Sequence, residues 1–193
     1  MIKLLINPFE NYSEKQLLAV GFLGNILLVF LSFQFNTNFV GNLRITDEKV
    51  DDLKNVIFTH SITLLFLVVF LFALGKYLNS KTRFVDILVT CLTSRLVLCF
   101  MTLLNINGKN SEIAVAVRKA MMQVNLEKAL ANYIPILMLF GLIAVVVTIW
   151  FFALLFNGFK TATNAKDTKS TVLFVITFII AESLTRLLIY NYF

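Results

Sequence analysis

Four ionisable residues stand inside long apolar runs: Asp86 and Arg95 in one, Glu182 and Arg186 in another. A charge buried in a membrane-length run is costly, and by default it is a candidate for function. Glu182 and Arg186 are spaced i,i+4 with the acid first, the favourable order on a helix. If both runs are helices crossing a bilayer in the same sense, Arg95 and Glu182 each lie about eleven residues in, roughly 16 Å deep. The spacing therefore predicts a buried network of Arg95, Glu182 and Arg186, with an interhelical Arg95–Glu182 bond. Thr93, Ser94, Ser183 and Thr185 are placed to satisfy its remaining donors and acceptors. Two chemistries fit: a proton or ion relay, or a polar clip that fixes how two helices pack. A carrier usually shows broken helices or an inverted repeat. Neither Gly nor Pro interrupts the middle of these runs, so the clip is the favoured reading.

The other reactive residue types are sparse. His60, the single histidine, lies near one end of an apolar run and reads as a hydrogen-bonded or interfacial residue. Cys91 and Cys99 are separated by about 12 Å of helix, beyond the roughly 7 Å a disulfide tolerates. They read as inert packing residues. The acids Asp47, Glu48, Asp51 and Asp52 lack the order of a calcium loop, so they read as a solvated face. There is no metal-type spacing, phosphate loop or nucleophile–base arrangement. No enzyme activity, metal or cofactor is expected. A basic turn containing Lys76, Lys81, Thr82 and Arg83, with Asp86 just beyond, is a second candidate contact site.

The elements carrying these residues follow from composition. Hydrophobic residues make up 59% of the 193 and charged residues 15%; mean hydropathy is +0.84. So few charges could not cover so much apolar surface in water. Five runs approach the ~20 apolar residues of a spanning helix: 17–35, 57–77, 84–104, 133–156 and 171–192. They lack strand alternation, and isolated backbone in lipid must satisfy itself as helix. The expectation is an all-α polytopic bundle, a single membrane domain over 1–193.

Between the runs lie three amphipathic segments. Residues 1–16, interrupted by Pro8, read as interfacial. In 46–55, Thr46 followed by Asp47 and Glu48 reads as a capped helix start. In 111–131, Ile113, Val117, Met121 and Val124 recur at helical spacing, giving a connector helix. Gly21, Gly24 and Asn25 offer a small face for close helix approach. Pro135 falls in a first helical turn, where it is tolerated.

With five spans, one side of the membrane carries eight cations and three acids in short segments, among them Lys3, Lys15, Lys76, Lys81, Arg83, Lys160, Lys166 and Lys169. The other carries seven cations and six acids. Dense basic residues close to span ends mark the cytoplasmic side. The N-terminus is expected in the cytoplasm and the C-terminus outside. The net charge of +6 fits topology and anionic lipid better than nucleic acid, which is not an expected partner. Membrane lipids, other membrane proteins or a second copy are the expected partners.

Three segments carry a family resemblance: Ile6-Asn7-Pro8-Phe9-Glu10 before the first span, Gly75 through Leu88 leading into the third, and Asn157 through Thr163 with Lys166 after the fourth. With the five-span layout, the whole chain resembles the Yip1 family, in particular its compact bacterial members. Arg95-Leu96 stands where the family often has a proline. The resemblance implies an N-in, C-out bundle of a bacterial cytoplasmic (inner) membrane, without catalysis, acting as a scaffold or trafficking-type helper. In eukaryotic members it implies vesicle traffic and contact with Rab-type small GTPases through a long N-terminal cytosolic region. That long region is expected to be missing here. The alternative function is a small transporter or channel using Arg95, Glu182 and Arg186.

Overall fold

A computed structural model describes residues 5–46, 52–121, 133–165 and 167–192. Lys3, Asp47, Glu48, Asp51, Val124 and Lys166 lie outside the described residues, as does most of the second half of the 111–131 segment. The fold is all-α, with five helices long and apolar enough to cross a membrane.

A short 3-10 turn, Pro8–Glu10, precedes α1 (Glu14–Gln34). Ser13 caps α1 with a reciprocal box: its hydroxyl accepts from the Gln16 amide, and its own N–H donates to the Gln16 side chain at 3.1 Å. The connection to the second span holds a two-stranded antiparallel hairpin, β1 (Asn38–Phe39) and β2 (Ile45–Thr46). Thr46 is thus a strand residue. The helix that follows, α2 (Leu53–Leu78), is capped by Asp52, whose carboxylate accepts from the Lys54 amide at 3.0 Å. A carboxylate caps a helix N-terminus at least as well as a Thr hydroxyl, so the helix starts later than the Thr46-Asp47-Glu48 pattern predicts.

The third span is α3 (Phe84–Arg95), a 3-10 turn at Leu96–Leu98, and α4 (Cys99–Thr102). A second 3-10 segment, Leu103–Gly108, ends it through non-helical backbone at Asn105, Ile106 and Asn107, the last with φ +58°. Helix α5 (Lys109–Met121) follows. The last two spans are α6 (Ile134–Thr163), with Pro in its first turn, and α7 (Thr168–Tyr192).

The third span is central. Some 61% of its apolar stretch is buried, against 22–39% in the other four. It packs between α1 and α6, while α2 packs on α7. Close approach to α1 depends on small residues. A Cβ on Gly21 would stand 2.8 Å from the Leu92 side chain, and one on Gly24 would collide with Leu96. Core side chains include Leu28, Leu71, Ile87, Phe151 and Leu155. A ladder of rings, with Phe152–Phe178 at 4.8 Å and Phe159–Phe174 at 5.1 Å, joins α6 to α7. Outward faces are equally apolar, as at Leu23, Met138, Leu142 and Ile149. That pattern suits lipid as solvent, where surface and core share one chemistry.

Candidate functional site

The buried charges fall into two groups. Glu182, on α7, is buried and faces the hairpin between the first two spans. Its carboxylate accepts the Asn42 N–H on both oxygens (3.1 and 3.0 Å), the Leu43 N–H (3.2 Å) and the Asn42 side-chain amide (3.2 Å). Arg186 completes the ring at 3.1 Å, the i,i+4 pair on one helix. Consecutive backbone N–H groups make a concave anion cradle. Gly41 makes the cradle accessible: its φ is +93°, and a Cβ there would meet Glu182 Oε1 at 2.3 Å.

Arg95 does not bond to Glu182. It is fully buried and donates to the His60 carbonyl at 3.0 Å and to His60 Nδ1 at 2.9 Å. A guanidinium can only donate, so Nδ1 accepts and Nε2 carries the hydrogen. Nε2 then donates to Ser32 Oγ at 3.0 Å. The result is a chain from the third span through α2 to α1. Among the described residues, no carboxylate lies within ion-pair distance of Arg95. The physical reason is competition. The hairpin supplies Glu182 with backbone donors, which equal depth along two helices cannot reveal. Phe39 of that hairpin packs its ring on His60 at 5.3 Å, so both groups share one loop. Ser94 and Thr185 bond their own helices, to the Cys91 and Ala181 carbonyls. Among the described residues, Thr93 Oγ1 and Arg95 Nε are buried without a partner.

The third span tightens beside Arg95. The Leu96 N–H bonds the Thr93 carbonyl, an i→i−3 bond, which removes the usual helical donor from the Leu92 carbonyl. Asn25 of α1 replaces it, its amide donating to Leu92 O at 2.9 Å and to Gly21 O at 2.8 Å. A mid-helix 3-10 stretch often marks a hinge.

At the end of the bundle bearing the N-terminal segment, Arg83 bridges Glu14 of α1 and Asp86 of α3, each at 2.5 Å. The hydrogen bonds it donates to Asp86, and then to Glu14, raise the Arg83 pKa above its ordinary range. Thr82 is buried and donates to the Gly75 carbonyl at 3.0 Å. Lys76 reaches the Ser80 carbonyl at 2.8 Å, and the backbone N–H of Lys81 bonds the Asn79 side chain at 3.0 Å. Asn79 also donates to the Thr163 carbonyl at 3.1 Å, tying this turn to the end of α6. The N-terminal segment lies along α6. Trp150 donates to the Leu5 carbonyl (2.8 Å), Asn157 to the Ile6 carbonyl (3.1 Å), and Pro8 is buried.

The three segments that carried the resemblance thus meet at one end of the bundle. The family model of the Yip1 domain matches residues 2–185. The chain belongs to the Yip1 domain family. It is an integral membrane protein, and the family is a non-enzymatic membrane family. Comparison with curated proteins and with solved structures finds no match.

Within this Yip1 domain, the sequence pattern missed the partners that come from loops and neighbouring helices. Asn42, Leu43, His60 and Asn25 each bond across elements. One signal was available: Gly41-Asn42 is a turn dipeptide, and it sets the cradle for Glu182. Cys91 is buried and Cys99 partly so, both as free thiols.

Proposed function

We propose that this Yip1-family chain is a non-catalytic membrane scaffold or trafficking-type helper of a bacterial inner membrane, with its N-terminus in the cytoplasm. It engages membrane partners through the turn at Lys76, Lys81 and Arg83. One observation carries the reading. The carboxylate of Glu182 is spent on the Asn42 and Leu43 amides and on Arg186, so it serves as a packing device. The turn carries exposed cations on a rigid base, with Thr82 and Asn79 anchoring it to α2 and α6. The test is co-purification from the native membrane. Lys76→Gln, Lys81→Gln and Arg83→Gln together should lose the partners, while Arg95→Met should keep them. Loss of partners with Arg95→Met and retention with the triple change would overturn the reading. Labelling of single cysteines introduced at Lys76 and at Tyr192 checks the orientation.

A second reading, a small transporter, has its own observation: the 3-10 turn at Leu96–Leu98 directly follows buried Arg95. It requires solute flux in reconstituted vesicles that Arg95→Met abolishes.

A further inference from the structure

Beneath the Arg83 bridge lies a cavity of about 240 Å³. Its walls include Phe9, Tyr12, Glu14, Asp86, Thr90 and Thr161. These residues come from the N-terminal segment, α1, α3 and α6, so the whole bundle end builds it. Its polar lining mostly accepts hydrogen bonds. Thr90 already donates to the Asp86 carbonyl and Thr161 to the Asn157 carbonyl, leaving their oxygen lone pairs free. Glu14 and Asp86 add two carboxylates, and among the described lining residues Arg83 is the one cation opposing them. The lining therefore keeps one uncompensated negative charge beside two aromatic rings. That combination selects a cation rich in N–H donors. Arg83 is 63% exposed, and screened surface bridges are weak, so a ligand cation can compete with it for the carboxylates.

A second hollow of about 350 Å³ lies along the same face of α6, lined by Leu5, Ile6, Val146, Ile149, Trp150 and Ala153. It is almost wholly apolar. Eight residues of helix separate Ala153 from Thr161, about 12 Å. A glycerophospholipid spans that distance from its headgroup to the upper part of its acyl chains. The two hollows also straddle the point where Asn157 holds the N-terminal segment.

We propose that the cavity under Arg83 holds the primary-ammonium headgroup of a phospholipid, with one acyl chain in the Leu5–Trp150 hollow. This site is independent of whether the turn recruits partners. The ammonium donates to Glu14 and Asp86 and displaces Arg83 toward water. The N-terminal segment, pinned by Trp150 and Asn157, then lies over the lipid as a strap.

The test is native mass spectrometry of the full chain from micelles holding equal phosphatidylethanolamine, phosphatidylcholine and phosphatidylglycerol. Retained phosphatidylethanolamine should exceed phosphatidylglycerol about fivefold, the factor expected of a single partly screened charge pair. The Glu14→Gln, Asp86→Asn double variant should retain the three lipids equally. Arg83→Gln, which removes the competing cation, should raise the phosphatidylethanolamine excess and controls for misfolding in the double variant. Equal retention by the native chain, a preference for phosphatidylglycerol, or an excess unchanged in the double variant would overturn the proposal. So would a thermal shift produced by free ethanolamine and not by the phospholipid.

Discussion

Gly41 lies so close to Glu182 that a Cβ on it would stand 2.3 Å from the carboxylate. The contact joins the loop after the first span to the last span, and both residues are fixed by it. Gly41→Ala should cost about 1–2 kcal/mol in backbone strain alone and push the carboxylate off the Asn42 amide. Glu182→Gln is close in size but turns a donor toward amide donors. It should cost about 3 kcal/mol, because buried N–H groups lose a charged acceptor. Thermal unfolding in detergent measures both. A Glu182→Gln midpoint equal to the native one would remove the cradle from the account.

Arg95 should behave in the opposite way. It is a buried cation held by a carbonyl and an imidazole, with no carboxylate at ion-pair distance among the described residues. Replacing buried ionic groups by apolar ones of similar volume is often neutral or stabilising by about 1–4 kcal/mol. Arg95→Met should therefore keep or raise the unfolding midpoint, while Arg95→Lys should lower it, since one ammonium cannot serve both acceptors in the fork geometry. The ordering of the three midpoints is the readout.

Asn25 supplies the donor that the tightened third span withholds from the Leu92 carbonyl. Asn25→Leu leaves that carbonyl unpaired in apolar surroundings, a cost of about 1–3 kcal/mol. The same change should let the helix relax toward regular α geometry at Leu96. Amide exchange at Leu96 and Val97 should slow relative to the native chain; unchanged exchange would mean that Asn25 does not maintain the turn.

Asp167 precedes α7 and accepts a hydrogen bond from Ser170. That bond, above all, holds its carboxyl below the ordinary value. A depressed carboxyl pKa contributes stability above the unfolded value, near 4, and loses it as pH falls through the folded one. Carbon-13 titration of Asp167 should show the depressed midpoint, and Ser170→Ala should return it toward the ordinary range.

The sequence made the five spans legible because lipid imposes one rule, about twenty apolar residues per crossing. The Glu182–Arg186 pair was legible because it is local, four residues apart on one helix. The Arg95–Glu182 bond failed because depth along a helix says nothing of rotation or of what a loop inserts. The Asn42 cradle requires an irregular loop to fold inward, and hydropathy marks that loop only as a gap between spans. The start of α2 shifted from Thr46 to Asp52 because a hairpin claimed Thr46 for a strand. The break at Leu96–Leu98 escaped notice for a different reason: no Gly or Pro causes it, and its compensating donor sits on another helix.

Glu182 and its cradle lie 140 residues apart in the chain. During synthesis the early loop emerges long before the helix that completes it. Until then the Asn42 and Leu43 amides lack the acceptor that the finished bundle gives them. A polypeptide cut short before the last helix presents an unfinished loop, its inward-facing amides deprived of the carboxylate that closes them.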